Sequence, residues 1–167
     1  FLKYGKKPEQ IKDYRVIYFA LHNEPEVALL QFSPEFNNSM EIVAWISKSL
    51  TADTLLVVKE FPFGFGIRSK QYYNNFRRLS NVVLAHPENT SLEWINACNV
   101  VATITGTVGT EAVYFQKPVL SFGKHQIINH LPTVSYVKDY DSTKKAIEKL
   151  LKLEKEDEIF KHSKYAL

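Results

Sequence analysis

Apolar residues along the chain fall into short continuous runs separated by amphipathic stretches. Arg15 to Leu21 (RVIYFAL) is rich in β-branched and aromatic residues, the pattern of a strand buried on both faces. Thr54 to Glu60 (TLLVVKE), Asn81 to Ala85 (NVVLA), Asn99 to Thr105 (NVVATIT) and Pro118 to Phe122 (PVLSF) repeat the pattern, and Val134 to Val137 supplies a sixth strand. Helices are predicted between them. One is capped by Ser39 and reaches about Leu50, with Ile42, Val43, Ile46 and Leu50 at helical spacing. Others run from Ser69 to Leu79, from Ser91 to Ala97 with Thr90 or Ser91 as cap, from Thr110 to Phe115 behind a glycine-rich turn, and from Ser142 to Leu153. His22 to Asn38 and Phe61 to Gly66 read as loops, the second broken by Pro62 and two glycines. Strands alternating with helices predict a three-layer, Rossmann-like α/β domain over 15–153 with a parallel sheet of about six strands. Residues 1–14 read as a linker or N-terminal helix, and 154–167 as a charged tail.

Composition narrows the class. In 167 residues, 45% are hydrophobic and 23% charged, which suits a globular domain and excludes a disordered tail, a collagen repeat or a coiled coil. The net charge of +3, from 21 basic and 18 acidic residues, does not argue for nucleic acid, which is excluded as a partner. A single cysteine, Cys98, excludes an internal disulfide and any multi-cysteine metal site, and reads as a buried small residue. No apolar stretch is long enough to span a membrane, and no secretory signal pattern opens the chain. The start at Phe1 in place of Met suggests an excised or processed piece of a longer protein.

In a doubly wound sheet, ligands bind beyond the carboxyl ends of the strands, where the strand order switches. The residues following each strand are therefore the candidates. The strongest is the stretch from Thr103 to Glu111 (TITGTVGTE). Gly106 and Gly109 allow a tight turn and close backbone approach, and Thr105, Thr107 and Thr110 add hydroxyls. A helix N-terminus suits phosphate, and Glu111 could accept from ribose or sugar hydroxyls. The structural alternative is a strand-to-helix turn with threonine caps and a dipole-matching glutamate. The stretch is neither a P-loop nor a GxGxxG fingerprint. Glu60 suits a general base, a ribose contact or a salt-bridged strand end. His86, before Pro87, either reaches the same crevice or is a loop histidine stacked on a turn proline.

Three signals are set aside. Asp139-Tyr-Asp141 has the DxD form of metal-dependent transferases, but Asp141 or Ser142 is better read as a helix N-cap. His125 and His130 lack metal-ligand spacing, so no metal site is expected. Gly64-Phe65-Gly66 reads as loop flexibility or a hinge. Phe61, Phe63, Phe65, Tyr72 and Tyr73 form an aromatic cluster that could stack on a base or sugar, or pack on a further domain. Arg68, Lys70, Arg77 and Arg78 make that region basic, as a solvated helix face or a phosphate-attracting rim.

The stretch from Thr103 to Gly123 (TITGTVGTEAVYFQKPVLSFG) resembles the nucleotide-sugar half of two-domain, GT-B type glycosyltransferases. It is more similar still to the bacterial capsule and surface-polysaccharide biosynthesis proteins, which include transferases that use CMP-Kdo. Tyr18 to Glu26 (YFALHNEPE) resembles that family's YFPLHxQPE segment, Leu56 to Pro62 (LVVKEFP) its second strand and Asn81 to Leu84 its third, so the similarity covers roughly 15–150. The resemblance implies transfer of a sugar from a nucleotide-activated donor, CMP-Kdo-like, to a polysaccharide or glycolipid acceptor. The donor would be bound by Glu60, His86, Thr105, Gly106, Thr107, Gly109, Thr110 and Glu111. It further implies no cofactor beyond that donor substrate, a second domain that completes the cleft, and a cytoplasmic location, peripheral to the inner membrane. His22, Glu24 and Glu26 would line the cleft. No catalytic residue is assigned. The chain departs from the family at Phe61, where Lys-Glu-His-Pro is usual and the histidine is expected to contact the donor phosphate. A UDP-sugar enzyme of the same architecture, such as a UDP-GlcNAc 2-epimerase, and a non-catalytic module that has lost the donor site are the alternatives.

Overall fold

The computed structural model describes residues 3–22, 33–36, 38–61, 64, 66–153 and 158–166. Glu24, Glu26, Pro62, Phe63 and Phe65 lie outside the described residues. The strands are β1 (Arg15–Ala20), β2 (Thr54–Lys59), β3 (Val82–Leu84), β4 (Val100–Thr103), β5 (Val119–Ser121) and β6 (Val134–Tyr136). The helices are α1 (Ser39–Ser49), α2 (Lys70–Arg77), α3 (Ser91–Ala97), α4 (Val108–Tyr114), α5 (Tyr140–Leu150) and α6 (Glu158–Tyr165). All strand pairs are parallel, in the order β3-β2-β1-β4-β5-β6. The chain winds outward from β1 to β3, then returns to the other side of β1 and winds outward again. This is the expected three-layer, doubly wound architecture, and its switch lies between β1 and β4.

The apolar runs become strands because both faces of the sheet are covered. Ile17, Phe19, Leu56 and Val58 pack with Ile42, Val43 and Ile46 of α1, Phe76 of α2 and Ile147 of α5. Val16, Tyr18, Val57, Val101 and Val119 face the other way, against Trp94 and Ile95 of α3 and Ala112 and Val113 of α4. Residues 3–14 pack on the domain. Lys6 bridges to Ala85, Ile11 is buried, and Pro8–Gln10 forms a 3-10 turn. This segment covers part of the β3 edge, which would otherwise expose unpaired backbone groups.

Helix starts differ from expectation by a few residues. Asn38, not Ser39, caps α1, its side chain accepting the Met40 N–H at 3.0 Å. The cap of α5 is Asp139, not Asp141 or Ser142. Its carboxylate accepts the Ser142 N–H at 2.7 Å, and Ser142 Oγ accepts the Asp139 N–H at 3.2 Å. The reason is the capping box itself, which puts the first turn ahead of the first apolar position. Asp139 therefore serves the helix, as an N-cap reading of that acidic pair requires. Helix α4 begins at Val108 rather than Thr110. In place of a charged tail, α6 docks through Phe160, which is buried, and through a buried bond from Thr133 Oγ1 to Ser163 Oγ at 2.9 Å.

Candidate functional site

A cavity of about 450 Å³ opens at the switch. Ala20, Leu21 and His22 line it from the end of β1, and Thr105, Gly106, Thr107, Val108 and Glu111 line it from the turn after β4 and the start of α4. Ser91 of α3 and Phe61 after β2 complete the wall.

The glycine turn is locked locally. Thr103 Oγ1 accepts the Gly106 N–H at 3.2 Å and its hydroxyl donates to the Gly106 carbonyl at 3.4 Å. A Cβ on Gly106 would lie 3.1 Å from His22 Cε1 and 3.3 Å from Thr103 Oγ1, so only a glycine fits without displacing the imidazole. Thr107 occupies the N-cap of α4 without a side-chain cap bond; its hydroxyl donates to Glu111 Oε1 at 3.3 Å. The start of α4 faces the cavity, with the Gly109 N–H bonded back to the Gly106 carbonyl at 3.2 Å and the Glu111 N–H to the Thr107 carbonyl at 3.0 Å. Thr105 Oγ1 is buried and has no hydrogen-bond partner among the described residues.

The structure brings Thr105, Gly106, Thr107 and Glu111 together, and places the other expected residues elsewhere. Gly109 is buried on the helix, where a Cβ would come within 2.8 Å of both Thr103 Cγ2 and Ile128 Cδ1; it serves packing. Thr110 is exposed on α4 and does not line the cavity. Glu60 is buried and turned away from the cavity: its carboxylate accepts from Arg68 Nη1 at 2.5 Å, Tyr73 Oη at 2.6 Å and the Phe61 N–H at 2.8 Å. His86 lies two strands from the switch, at the sheet edge. Its N–H donates to the Lys6 carbonyl at 2.8 Å and its Nδ1 accepts the Glu88 N–H at 3.4 Å. Lys117 of the Lys-Pro motif closes the end of α3, donating to the carbonyls of Asn96 at 2.9 Å and Cys98 at 2.7 Å, and belongs to the fold rather than the cavity. No group of three or more His, Cys, Asp or Glu among the described residues could hold a metal ion.

Residue position in the chain undervalues His22. The residue is 7% exposed, and its Nε2 accepts the Ile104 N–H at 3.3 Å across the β1–β4 seam. Burial, with Arg68 nearby, lowers its pKa to about 4. The ring is therefore neutral at physiological pH, with its proton on Nδ1. Phe61, 40% exposed, offers the cavity an apolar face.

The lowered pKa fixes a pH dependence. Between pH 6.5 and about 4 the unfolded chain binds a proton at His22 that the folded chain refuses, so stability falls as pH falls through that window and is unaffected above it. The expected loss is about 2–3 kcal/mol at the acid end. Urea denaturation from pH 7.5 to 4.5 on wild type and His22→Gln checks this. Equal pH slopes in the two proteins would refute the assignment.

The sheet order and the cavity at its switch define a Rossmann-like, doubly wound α/β domain. A family model described as capsule polysaccharide biosynthesis protein matches residues 28–128, more than half of the 167 residues. The chain belongs to the capsule polysaccharide biosynthesis protein family. No curated protein matches it. Among solved structures, it is similar to the Thermosulfurimonas dismutans KpsC beta Kdo 2,7 transferase (TM-score 0.60, 16% identity), covering 80% of this chain and 44% of that one. It is also similar to S. aureus MnaA solved with UDP (TM-score 0.60, 16% identity, 93% and 40% covered). Anabaena Alr3699/HepE in complex with UDP-glucose aligns at TM-score 0.62 and 14% identity, with 98% and 49% covered. The chain thus spans less than half the length of each, and at these identities the likeness is one of fold. No described helix is long and apolar enough to cross a membrane.

Proposed function

We propose that this chain is the donor-binding half of a glycosyltransferase of surface-polysaccharide synthesis, and that its cavity takes the nucleotide of an activated sugar, CMP-Kdo. The observation that carries the reading is the cavity at the β1–β4 switch, walled by the Gly106 turn, the start of α4 and His22. The close backbone of the Gly106 turn and the threonine-rich start of α4 suit a nucleotide phosphate. His22 offers the imidazole that position 61 lacks. Glu111, at the rim, suits the hydroxyls of a ribose or sugar. The chemistry asked of this half is orientation of the donor and stabilisation of the leaving phosphate, with no step assigned to a metal. The acceptor, a polysaccharide or glycolipid, and the residue that activates it belong to a second domain, and the reaction takes place at the cytoplasmic face of the inner membrane.

A UDP-sugar donor is the second reading, supported by the UDP and UDP-glucose in two proteins of like fold. Calorimetry with CMP, CDP, UMP, UDP, AMP and GMP separates the two. Selective CMP binding, weakened about tenfold in Glu111→Ala, is the expected outcome. A preference for UDP moves the donor to the second reading. Binding of no nucleotide at millimolar concentration overturns the donor role for this chain.

A further inference from the structure

We propose that Arg68 is a positioning residue for the cavity: its guanidinium, anchored on the Glu60 carboxylate, grips the His22 backbone carbonyl and so fixes the His22 imidazole in the cavity wall. Arg68 does not itself line the cavity. It acts through three contacts, each in a different direction. Nη1 donates to Glu60 Oε1 at 2.5 Å, Nη2 donates to the His22 carbonyl, and the guanidinium plane lies over the Tyr72 ring at 5.1 Å.

The anchor is built to stay in place. The Glu60 side chain is fully buried and the Arg68 side chain is 11% exposed. Tyr73 Oη and the Phe61 N–H hold the rest of the carboxylate. Gly64 lies directly over the pair. A Cβ on Gly64 would lie 2.5 Å from Glu60 Oε1 and 3.3 Å from Arg68 Nη1, so a glycine is required there. The pair therefore ties the ends of β1 and β2 to α2, and His22 and Phe61, which both line the cavity, are the two residues it restrains most directly.

A buried ion pair is a costly way to hold a loop, since an apolar contact avoids the desolvation penalty. What a guanidinium adds is direction and charge. Its rigid fork sets the carbonyl in one place, so that the ring beyond it meets the Ile104 N–H with Nε2. Its positive charge stands beside the imidazole and opposes its protonation. Among the described residues, the other charged groups near the ring are Glu60, paired with Arg68, and Glu111, which lines the cavity from α4.

The positioning role is read from His22 itself, and only its ligand arm rests on the nucleotide-binding reading. NMR titration of the His22 ring nitrogens is carried out on wild type, Arg68→Lys, Arg68→Gln and Glu60→Gln/Arg68→Gln. The double variant removes both members of the Glu60–Arg68 pair, so neither is left without the other. The wild-type ring is expected as the Nδ1–H tautomer with a midpoint near pH 4. In the glutamine variants, where burial alone still holds the midpoint down, the midpoint is expected to rise and the tautomers to mix. Arg68→Lys is expected to keep the low midpoint while losing the single tautomer, because charge is retained and the fork is not. CMP and UMP affinities are expected to fall about tenfold in the double variant. Unchanged midpoint and tautomer in a folded double variant overturn the proposal. If wild type binds neither nucleotide while the titration moves as described, the positioning role stands and the donor reading falls.

Discussion

Glu60→Ala is expected to destabilise the fold by about 3–5 kcal/mol, the usual result of removing one partner from a buried ion pair. The loss is large because three donors converge on that carboxylate, from Arg68, Tyr73 and the Phe61 backbone. Alanine takes the Glu60 charge away from the guanidinium in a site already closed by Gly64. Urea denaturation at pH 7.5 measures it. A loss below about 1 kcal/mol would place the pair among the weak surface bridges and remove Glu60 as the anchor of the loop.

Gly123→Ala is expected to cost about 3 kcal/mol or more, at the upper end of what overpacking does. The new Cβ would lie 2.1 Å from the Ile104 carbonyl oxygen and 2.8 Å from Gln126 Cγ. A side chain can swing aside, but a backbone carbonyl at the end of a central strand cannot. The ends of β4 and β5 would have to part. Ile104 also donates its N–H to His22, so the displacement is expected to reach the cavity. Thermal unfolding and the His22 ring resonances report the two effects together. A variant as stable as wild type, with unmoved His22 signals, would mean that the two strand ends tolerate separation.

The fold was legible because a parallel sheet covered on both faces leaves a plain trace. Runs such as RVIYFAL and TLLVVKE have no polar face, and helices with one apolar side lie between them. The family resemblance was legible in the glycine turn, which does line the cavity. Side-chain direction was not. Glu60 and His86 stand at strand ends, where a ligand is expected, but being at the end of a strand says nothing of where a side chain turns. Glu60 is claimed by an arginine eight residues on. His86 follows β3, and only the strand order reveals that β3 is an edge. His22 gained its place the same way in reverse, because β1 pairs with β4 rather than β3. The caps show a smaller version of the problem. Asp139 and Asp141 are equivalent as residues, and the choice between them depends on which reaches an unpaired N–H.

The seam that carries the cavity joins chain segments remote in sequence: Val16 donates its N–H to Asn99 Oδ1 across 83 residues. Closing so long a loop carries an entropic cost, and contacts of that separation tend to slow folding. The cavity therefore comes into being only when both wings of the sheet have met along β1 and β4. Neither wing can carry a partial version of it. A ligand held across this seam would act as a clasp between the two wings, slowing their separation and linking occupancy to the lifetime of the entire domain.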